Sequence, residues 1–324
     1  MSPRRRTGPA IATLTLNPAL DLSASVDRVD PERKLRCHDL HWDAGGGGVN
    51  AARVIRRLGG ETLALFPAGG ANGARLEALL AAERTPSRVI PIRGETRQDF
   101  NAHDLSTGQE FRFVMPGPTL SAAERRSILR EVSRLEPAYG VLIASGSLPA
   151  GFPVDAYGAL ARQAKAAGRR FALDASGDAL KAGLAAGVWL VKPNLRELEE
   201  YCGHPVADEP GRLAACRAIV ESGAAQMVAL SLSAQGAMLV SADGAWRAAP
   251  LDIKPVSTIG AGDSFLAALV WALARGERPD VALQWALATA SATLLATGTA
   301  LARRADVIAL RPSVRVESLQ AARG

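Results

Sequence analysis

Short apolar runs alternate with stretches of helical period along most of this chain. Ile11 to Leu16, Thr62 to Phe66, Val141 to Ala144, Arg170 to Asp174, Val188 to Lys192, Met227 to Leu232 and Ala237 to Val240 read as strands. Helical signals lie between them. Val49, Ala52, Ile55 and Leu58 recur on one face, and Ser121 with Glu124 forms a capping-box signature ahead of Ile128, Val132 and Leu135. Strand and helix in alternation predict an α/β fold with a mostly parallel central sheet covered by helices on both faces. Two regions break the rhythm, residues 21–42 and about 93–116, where polar and apolar residues alternate as in Leu22-Ser23-Ala24-Ser25-Val26. These read as antiparallel strands with one wet face, forming a small lid sheet over the site. The rest of residues 10–324 reads as one domain without repeats or linkers, preceded by a basic tail over residues 1–9 that holds Arg4-Arg5-Arg6.

Near the C-terminus, Val281 to Ala302 carries no charged residue and is long enough to cross a bilayer. Its Gln284, Thr289, Ser291, Thr293, Thr297, Gly298 and Thr299, and the lack of an aromatic belt at both ends, favour a buried helix instead. Arg275 to Asp280, with Gly276 and Pro279, would be the turn joining it to an apolar helix over Phe265 to Ala274.

Composition narrows the partners. With 324 residues and 48% hydrophobic content the chain can bury a large core, and with 5% aromatics Ala, Leu and Val must fill it. A net charge of +6 suits anions, yet the one dense basic cluster sits in the tail, so phosphorylated metabolites fit better than nucleic acid. Cys37, Cys202 and Cys216 are odd in number and widely spaced, which points to a reducing cytoplasm, and no secretory signal is visible. His38, His41, His103 and His204 form no ligand set and read as surface or lid residues.

The chemistry concentrates in Ser257-Thr258-Ile259-Gly260-Ala261-Gly262-Asp263-Ser264. Small residues before an apolar helix make a turn whose free amides and positive dipole end cradle an anion. Asp263 has two readings there: a base drawing a proton from an attacking hydroxyl, or a plain first-turn helix acid.

Other motifs accompany it. They are Thr15-Leu16-Asn17-Pro18-Ala19-Leu20-Asp21, then Gly45-Gly46-Gly47-Gly48-Val49-Asn50-Ala51-Ala52-Arg53, and Val191-Lys192-Pro193-Asn194-Leu195-Arg196-Glu197. In this order and spacing the chain resembles the ribokinase-like (PfkB) carbohydrate kinases from about Ile11 to its last helices. Lys34-Leu35-Arg36-Cys37, Phe66 to Ala71, Phe111 to Gly117 and Ser145-Gly146-Ser147-Leu148-Pro149 resemble the minor-type bacterial 6-phosphofructokinases within that family.

The resemblance implies a ribokinase-like fold and transfer of phosphate from ATP to the C1 hydroxyl of fructose 6-phosphate. It also leaves 1-phosphofructokinase, tagatose-6-phosphate kinase and a catalytically silent sugar-phosphate sensor as other readings. 1-Phosphofructokinases usually carry a lysine within the glycine run, and Gly45 to Gly48 hold none. By the same resemblance Asp263 is the base, and the amides of Gly260, Ala261 and Gly262 hold the transferred phosphoryl group. Asp21, Gly46, Gly47, Asn50 and Ser147 meet the sugar, and Lys34, Arg97 and Arg112 meet its phosphate. Lys192, Asn194, Ser231, Gly236, Thr258, Gly260 and Gly262 border the nucleotide. Glu197 and Asp174 organise Mg²⁺, Glu197 through metal-bound water; Asn194 and Glu197 equally suit a helix cap, and the two roles coexist. Arg36 and Arg93 read as surface. Two departures stand out: Ser233 replaces the glycine usual after Ser-Leu, and Leu294 to Thr299 lacks the asparagine of close relatives, which weakens the case for a monovalent cation. Unpaired lid edges predict a homodimer formed through the lid.

Overall fold

β-Branched and small apolar residues build the central sheet because it is covered on both faces, so its strands need no polar side. The computed structural model describes residues 8–319; the arginine cluster of the tail lies outside the described residues. The strands are β1 Ala10–Leu14, β2 Ala19–Val26, β3 Cys37–Gly45, β4 Thr62–Ala68, β5 Ser87–Pro91, β6 Arg97–Asp104 and β7 Glu110–Phe113. They continue with β8 Tyr139–Ser145, β9 Arg170–Asp174, β10 Val188–Val191, β11 Ala225–Ser231, β12 Ala237–Ser241, β13 Gly244–Ala248 and β14 Val316–Ser318.

Ten of them form one sheet in the order β14-β13-β12-β11-β10-β9-β8-β1-β4-β5. From β11 to β5 all neighbours are parallel, and β12, β13 and β14 add an antiparallel edge. One face packs on helices Gly47–Leu58, Ala261–Ala274 and Pro279–Leu294, through Val54, Ile55, Phe265, Leu269 and Leu283. The other packs on helices Ala122–Ser133, Ala156–Ala166, Gly177–Ala186 and Glu209–Glu221, through Ile128, Tyr157, Leu160, Leu184 and Ile219. Helix Ala261–Ala274 is buried along its whole length from Ser264 onward, which explains its lack of a polar face. Ser121 and Glu124 make the reciprocal capping box that their spacing predicts.

The small sheet has the order β3-β2-β6-β7. Its outer pairs are antiparallel, but the central β2–β6 pair is parallel, where antiparallel strands were expected throughout. The reason is connectivity: β2 reaches β6 only after the chain has passed through β4 and β5 of the large sheet, and such a crossover delivers a strand in the same direction. β2 and β3 also extend to Ala19 and Gly45, past the expected limits, because β3 runs directly into the glycine turn and its last residue, Gly45, still pairs with Ala19.

The helix expected over Val281 to Ala302 ends at Leu294. Beyond it Gly298 adopts φ 59° and Thr299 donates 2.5 Å to Asp43 on β3. Ala302 N returns to Thr293 Oγ1 at 3.2 Å. These bonds turn the segment back toward the lid, which a continued helix could not do. Among the described residues no helix is long and apolar enough to cross a membrane.

Candidate active site

Strand order reverses around β1: the chain proceeds outward through β4 and β5, then returns to β8 on the other side. A crevice forms at such a reversal, beyond the carboxyl ends of the strands. Here it is a cleft of about 310 Å³ that includes Asp21, Gly46, Gly47, Asn50, Arg97, Arg112, Ser147, Asp174, Glu197, Gly260, Gly262 and Asp263 in its walls.

Two helix N-termini aim at this cleft. Helix Ala261–Ala274 starts after Gly260, which sits at φ 72° in the left-handed region that favours glycine, and no side chain caps its first amides. At helix Gly47–Leu58 the N-cap residue Gly46 offers no side chain, the Val49 amide donates to Thr15 Oγ1 at 2.8 Å, and Asn50 lies inside the first turn instead of capping it. A side chain at Gly47 would collide with the Ser145 hydroxyl and lie 3.2 Å from Asp263 Oδ1, so glycine keeps the approach to the carboxylate open.

Asp263 is held by Asn50, whose Nδ2 donates to Oδ2 at 2.9 Å, leaving Oδ1 without a protein partner among the described residues. Burial pushes its carboxyl up from the usual carboxylate range, nearby Asp174 adds to this, and the Asn50 bond opposes it. Lys192 Nζ lies 3.1 Å from Asp174 Oδ1, and Ser145 donates to Asp174 Oδ2 at 3.3 Å. Lys192 is buried, and although burial alone disfavours its charge, Asp174 and Glu197 hold it above the usual lysine value.

The lid supplies the other wall. Asp43, Asp21 and Asp99 stand in register across β3, β2 and β6, a row of three buried carboxylates. The outer two are paired, Asp43 with Arg53 at 2.7 Å and Asp99 with Arg97 at 2.6 Å. Asp21 between them has a buried Oδ1 with no partner among the described residues, and burial followed by repulsion from Asp99 raises its carboxyl to about 7. An unsatisfied buried acceptor facing a cleft is suited to a ligand hydroxyl.

The arginines differ in what they can still bind. Arg97 contacts Asp99, the Asn17 carbonyl at 3.2 Å and the Met115 carbonyl at 3.5 Å. Arg112 makes no hydrogen bond or ion pair among the described residues and is exposed at the cleft. Lys34 differs from its expected place: it sits on the exposed β2–β3 connection and is not part of the cleft wall, because the β2–β3 hairpin carries its tip away from the strand ends. Arg36 and Arg93 are exposed, as expected.

The remaining residues border the β10–β11 side. Asn194 caps helix Leu195–Cys202 while Glu197 Oε2 accepts from its amide at 2.8 Å, and burial raises the Glu197 carboxyl. Asn194 bridges to Ser231, and Gly236 follows a turn in which Ser233 adopts φ 50°. Thr258 is exposed just before Gly260, its amide 3.4 Å from Glu110 Oε2 of β7. None of Asn194, Ser231, Gly236 or Thr258 forms part of the cleft wall.

The sequence alone assigned no role to Asp99, Ser145 or Arg53, although the last two stood within motifs. Asp99 was legible as the second residue after Arg97 on an alternating strand, and Arg53 as the residue one turn after Asn50. Ser145 stood in the motif Ser145 to Pro149, but beyond its place at a strand end nothing local gave it a role.

The family model for the pfkB family of carbohydrate kinases matches residues 15–305. The chain belongs to that family. An ATP-dependent 6-phosphofructokinase isozyme 2 of Mycobacterium tuberculosis is 41% identical over 299 residues, covering 92% of this chain and 88% of the relative. The crystal structure of phosphofructokinase-2 from Escherichia coli in complex with substrates and products has a TM-score of 0.91 at 38% identity, covering 94% of this chain and 99% of that one. A 1-phosphofructokinase of Xanthomonas campestris is 35% identical, covering 81% of this chain and 83% of the relative. A ribokinase-like sugar kinase is thus the frame in which the cleft is to be understood.

Proposed function

We infer that this carbohydrate kinase transfers the terminal phosphate of ATP to the C1 hydroxyl of fructose 6-phosphate, giving the 1,6-bisphosphate. One observation carries the reading: a single cleft holds Asp263 with open helix amides at one side and, at the other, the guanidinium of Arg112, which has no partner among the described residues. A substrate that already carries a phosphate can lie between them with its acceptor hydroxyl on Asp263. The greater identity to a 6-phosphofructokinase than to a 1-phosphofructokinase supports the same choice.

In this reading Asp263 Oδ1 takes the proton of the attacking hydroxyl, while the amides at Gly260 to Asp263 receive the charge that develops on the transferred phosphoryl group. Asp21 accepts hydroxyl hydrogens through its unpartnered oxygen, with Ser147 and Asn50 beside it. The nucleotide occupies the side bordered by Lys192, Asn194, Ser231, Gly236 and Thr258.

Five carboxylates, Asp21, Asp99, Asp174, Glu197 and Asp263, face the cleft against the two guanidiniums of Arg97 and Arg112. A triphosphate entering such a site requires cationic compensation. Mg²⁺ takes one or two protein carboxylates and otherwise keeps waters and substrate phosphates as ligands. Glu197 and Asp174 are the residues suited to hold it, and when bound it would neutralise charge on the triphosphate. Three free cysteines accord with a reducing cytoplasm. Leu35, Leu40, Leu105, Phe113 and Val114 are exposed on the lid, and we assign this apolar face to pairing of two copies.

Steady-state assays with ATP against fructose 6-phosphate, fructose 1-phosphate and tagatose 6-phosphate test the substrate. The highest kcat/KM is expected with fructose 6-phosphate; comparable efficiency with fructose 1-phosphate would overturn that choice and leave the kinase intact. Absence of transfer to every phosphosugar would favour a sensor. A monomer by light scattering at micromolar concentration would remove the lid pairing.

A further inference from the structure

One turn after Asn50, helix Gly47–Leu58 carries Arg53, whose side chain is only 2% exposed. Burying a guanidinium is costly unless every donor is used, and here each one is. Nε and one Nη2 hydrogen form a fork on Glu83, at 2.9 and 2.6 Å. The second Nη2 hydrogen goes to Asp43 at 2.7 Å. Nη1 donates to the Ala44 carbonyl at 2.8 Å and to Asn50 Oδ1 at 3.4 Å.

The last bond links this buried charge to the chemistry. Arginine can only donate, so the acceptor end of the Asn50 amide turns toward Arg53 and the donor end toward Asp263. Asn50 Nδ2 then holds Asp263 Oδ2 at 2.9 Å and leaves Oδ1 facing the cleft. On its other side Arg53 grips Asp43, which Thr299 also holds at 2.5 Å and His41 approaches at 3.3 Å. Asp43 is in register with Asp21. One planar cation therefore spans the strand beside the sugar-binding acid and the amide that holds the base.

We infer that Arg53 is a positioning residue for phosphoryl transfer: it fixes the Asn50 amide, and through it the Asp263 carboxylate, relative to the lid strand that carries Asp43. Stability alone does not call for an arginine here, because buried ion pairs are often replaceable by apolar side chains of similar volume. What an apolar residue or a lysine lacks is the fork that reaches five acceptors at once. The other charged groups facing Asp263 are Asp174, Lys192 and Arg112, and none is bonded to Asn50 among the described residues. The inference rests on Asp263 being the base.

The test is steady-state kinetics of Arg53→Lys on protein shown to be folded by circular dichroism, with Ile128→Val, a destabilised core variant remote from the cleft, as control. Arg53→Lys is expected to lose about 10- to 100-fold in kcat, the scale of a misplaced reacting group, with both Michaelis constants within about threefold of wild type. The control keeps its kcat within about twofold, since lost stability alone does not slow a folded site. Should Arg53→Lys fail to fold, Arg53→Met with Glu83→Met takes its place, because Asp43 retains Thr299 and His41. A folded variant with wild-type kcat, or one whose loss lies wholly in the Michaelis constants, overturns the inference. Asp263→Asn separates the two ideas. If it is inactive while Arg53→Lys turns over normally, only the positioning role falls; if it is itself active, the base assignment falls first.

Discussion

Replacing Arg112 should weaken sugar-phosphate binding far more selectively than replacing Arg97. Arg112 is exposed on β7, directly across from Asn101 of β6, and its guanidinium has no partner among the described residues. No hydrogen-bond partner among the described residues is left unpaired when it goes, although Asp21 and Asp263 lose a nearby positive charge. The lost quantity is then the charge-assisted contact with the phosphate, about 2 to 3 kcal/mol, or roughly a 30- to 150-fold rise in KM. Arg97 instead neutralises Asp99, a carboxylate only 4% exposed, and braces the Asn17 and Met115 carbonyls. Its removal leaves a buried charge whose one remaining bond among the described residues is from the Met115 amide, at 3.0 Å, and costs about 3 to 5 kcal/mol of folding stability. Steady-state kinetics with varied fructose 6-phosphate, paired with thermal unfolding of each variant, separates the cases. Arg112→Ala should show a raised KM, near-normal kcat and an unchanged Tm, whereas Arg97→Ala should show a clearly lowered Tm. If Arg112→Ala binds the sugar phosphate normally, or if the two variants lose stability equally, the division of labour drawn from the hydrogen bonds is wrong.

Asp263→Asn keeps the shape of the site and removes the proton acceptor, so turnover should fall about 10²- to 10⁴-fold with little change in KM; near-normal turnover in a stopped coupled assay would exclude it as the base. Asp21 titrates near 7 in the unliganded protein because burial penalises its charge, so kcat/KM for the sugar phosphate should rise with pH up to about 7 and then level, and Asp21→Asn should abolish that limb. The same raised carboxyl implies that its contribution to unliganded stability is full below the unfolded value near 4 and is lost as pH rises through about 7; a Tm that climbs over that window because of Asp21 would contradict the assignment. Ser233 holds φ 50°, strained for a residue with a side chain, so Ser233→Gly should raise stability by up to about 1 kcal/mol, net of the chain entropy glycine adds. A lowered Tm would show that the turn is not strained.

Local periodicity carried the order of elements. Period-two and unbroken apolar runs marked seven strands of the large sheet, and capping pairs such as Ser121 with Glu124 and Asn194 with Glu197 marked helix starts, because these signals arise from neighbours a few residues apart. β5, β13 and β14 lacked such signals, being short or half-exposed. The glycine turns and Asp263 were legible for the same reason, since close approach of a backbone to an anion restricts residue type locally. Pairing across the chain was not legible. The parallel β2–β6 contact, the row Asp43-Asp21-Asp99, the engagement of Arg97 and freedom of Arg112, and the fold-back of Thr299 onto Asp43 all join residues from distant parts of the sequence. Their energies depend on desolvation and on which charge stands opposite which, and both are set only when the sheets close over the cleft. Sequence determined which groups this protein brings to its site; tertiary structure decided which of them arrive already neutralised and which, like Asp21 and Arg112, have no partner among the described residues and stand ready for a ligand.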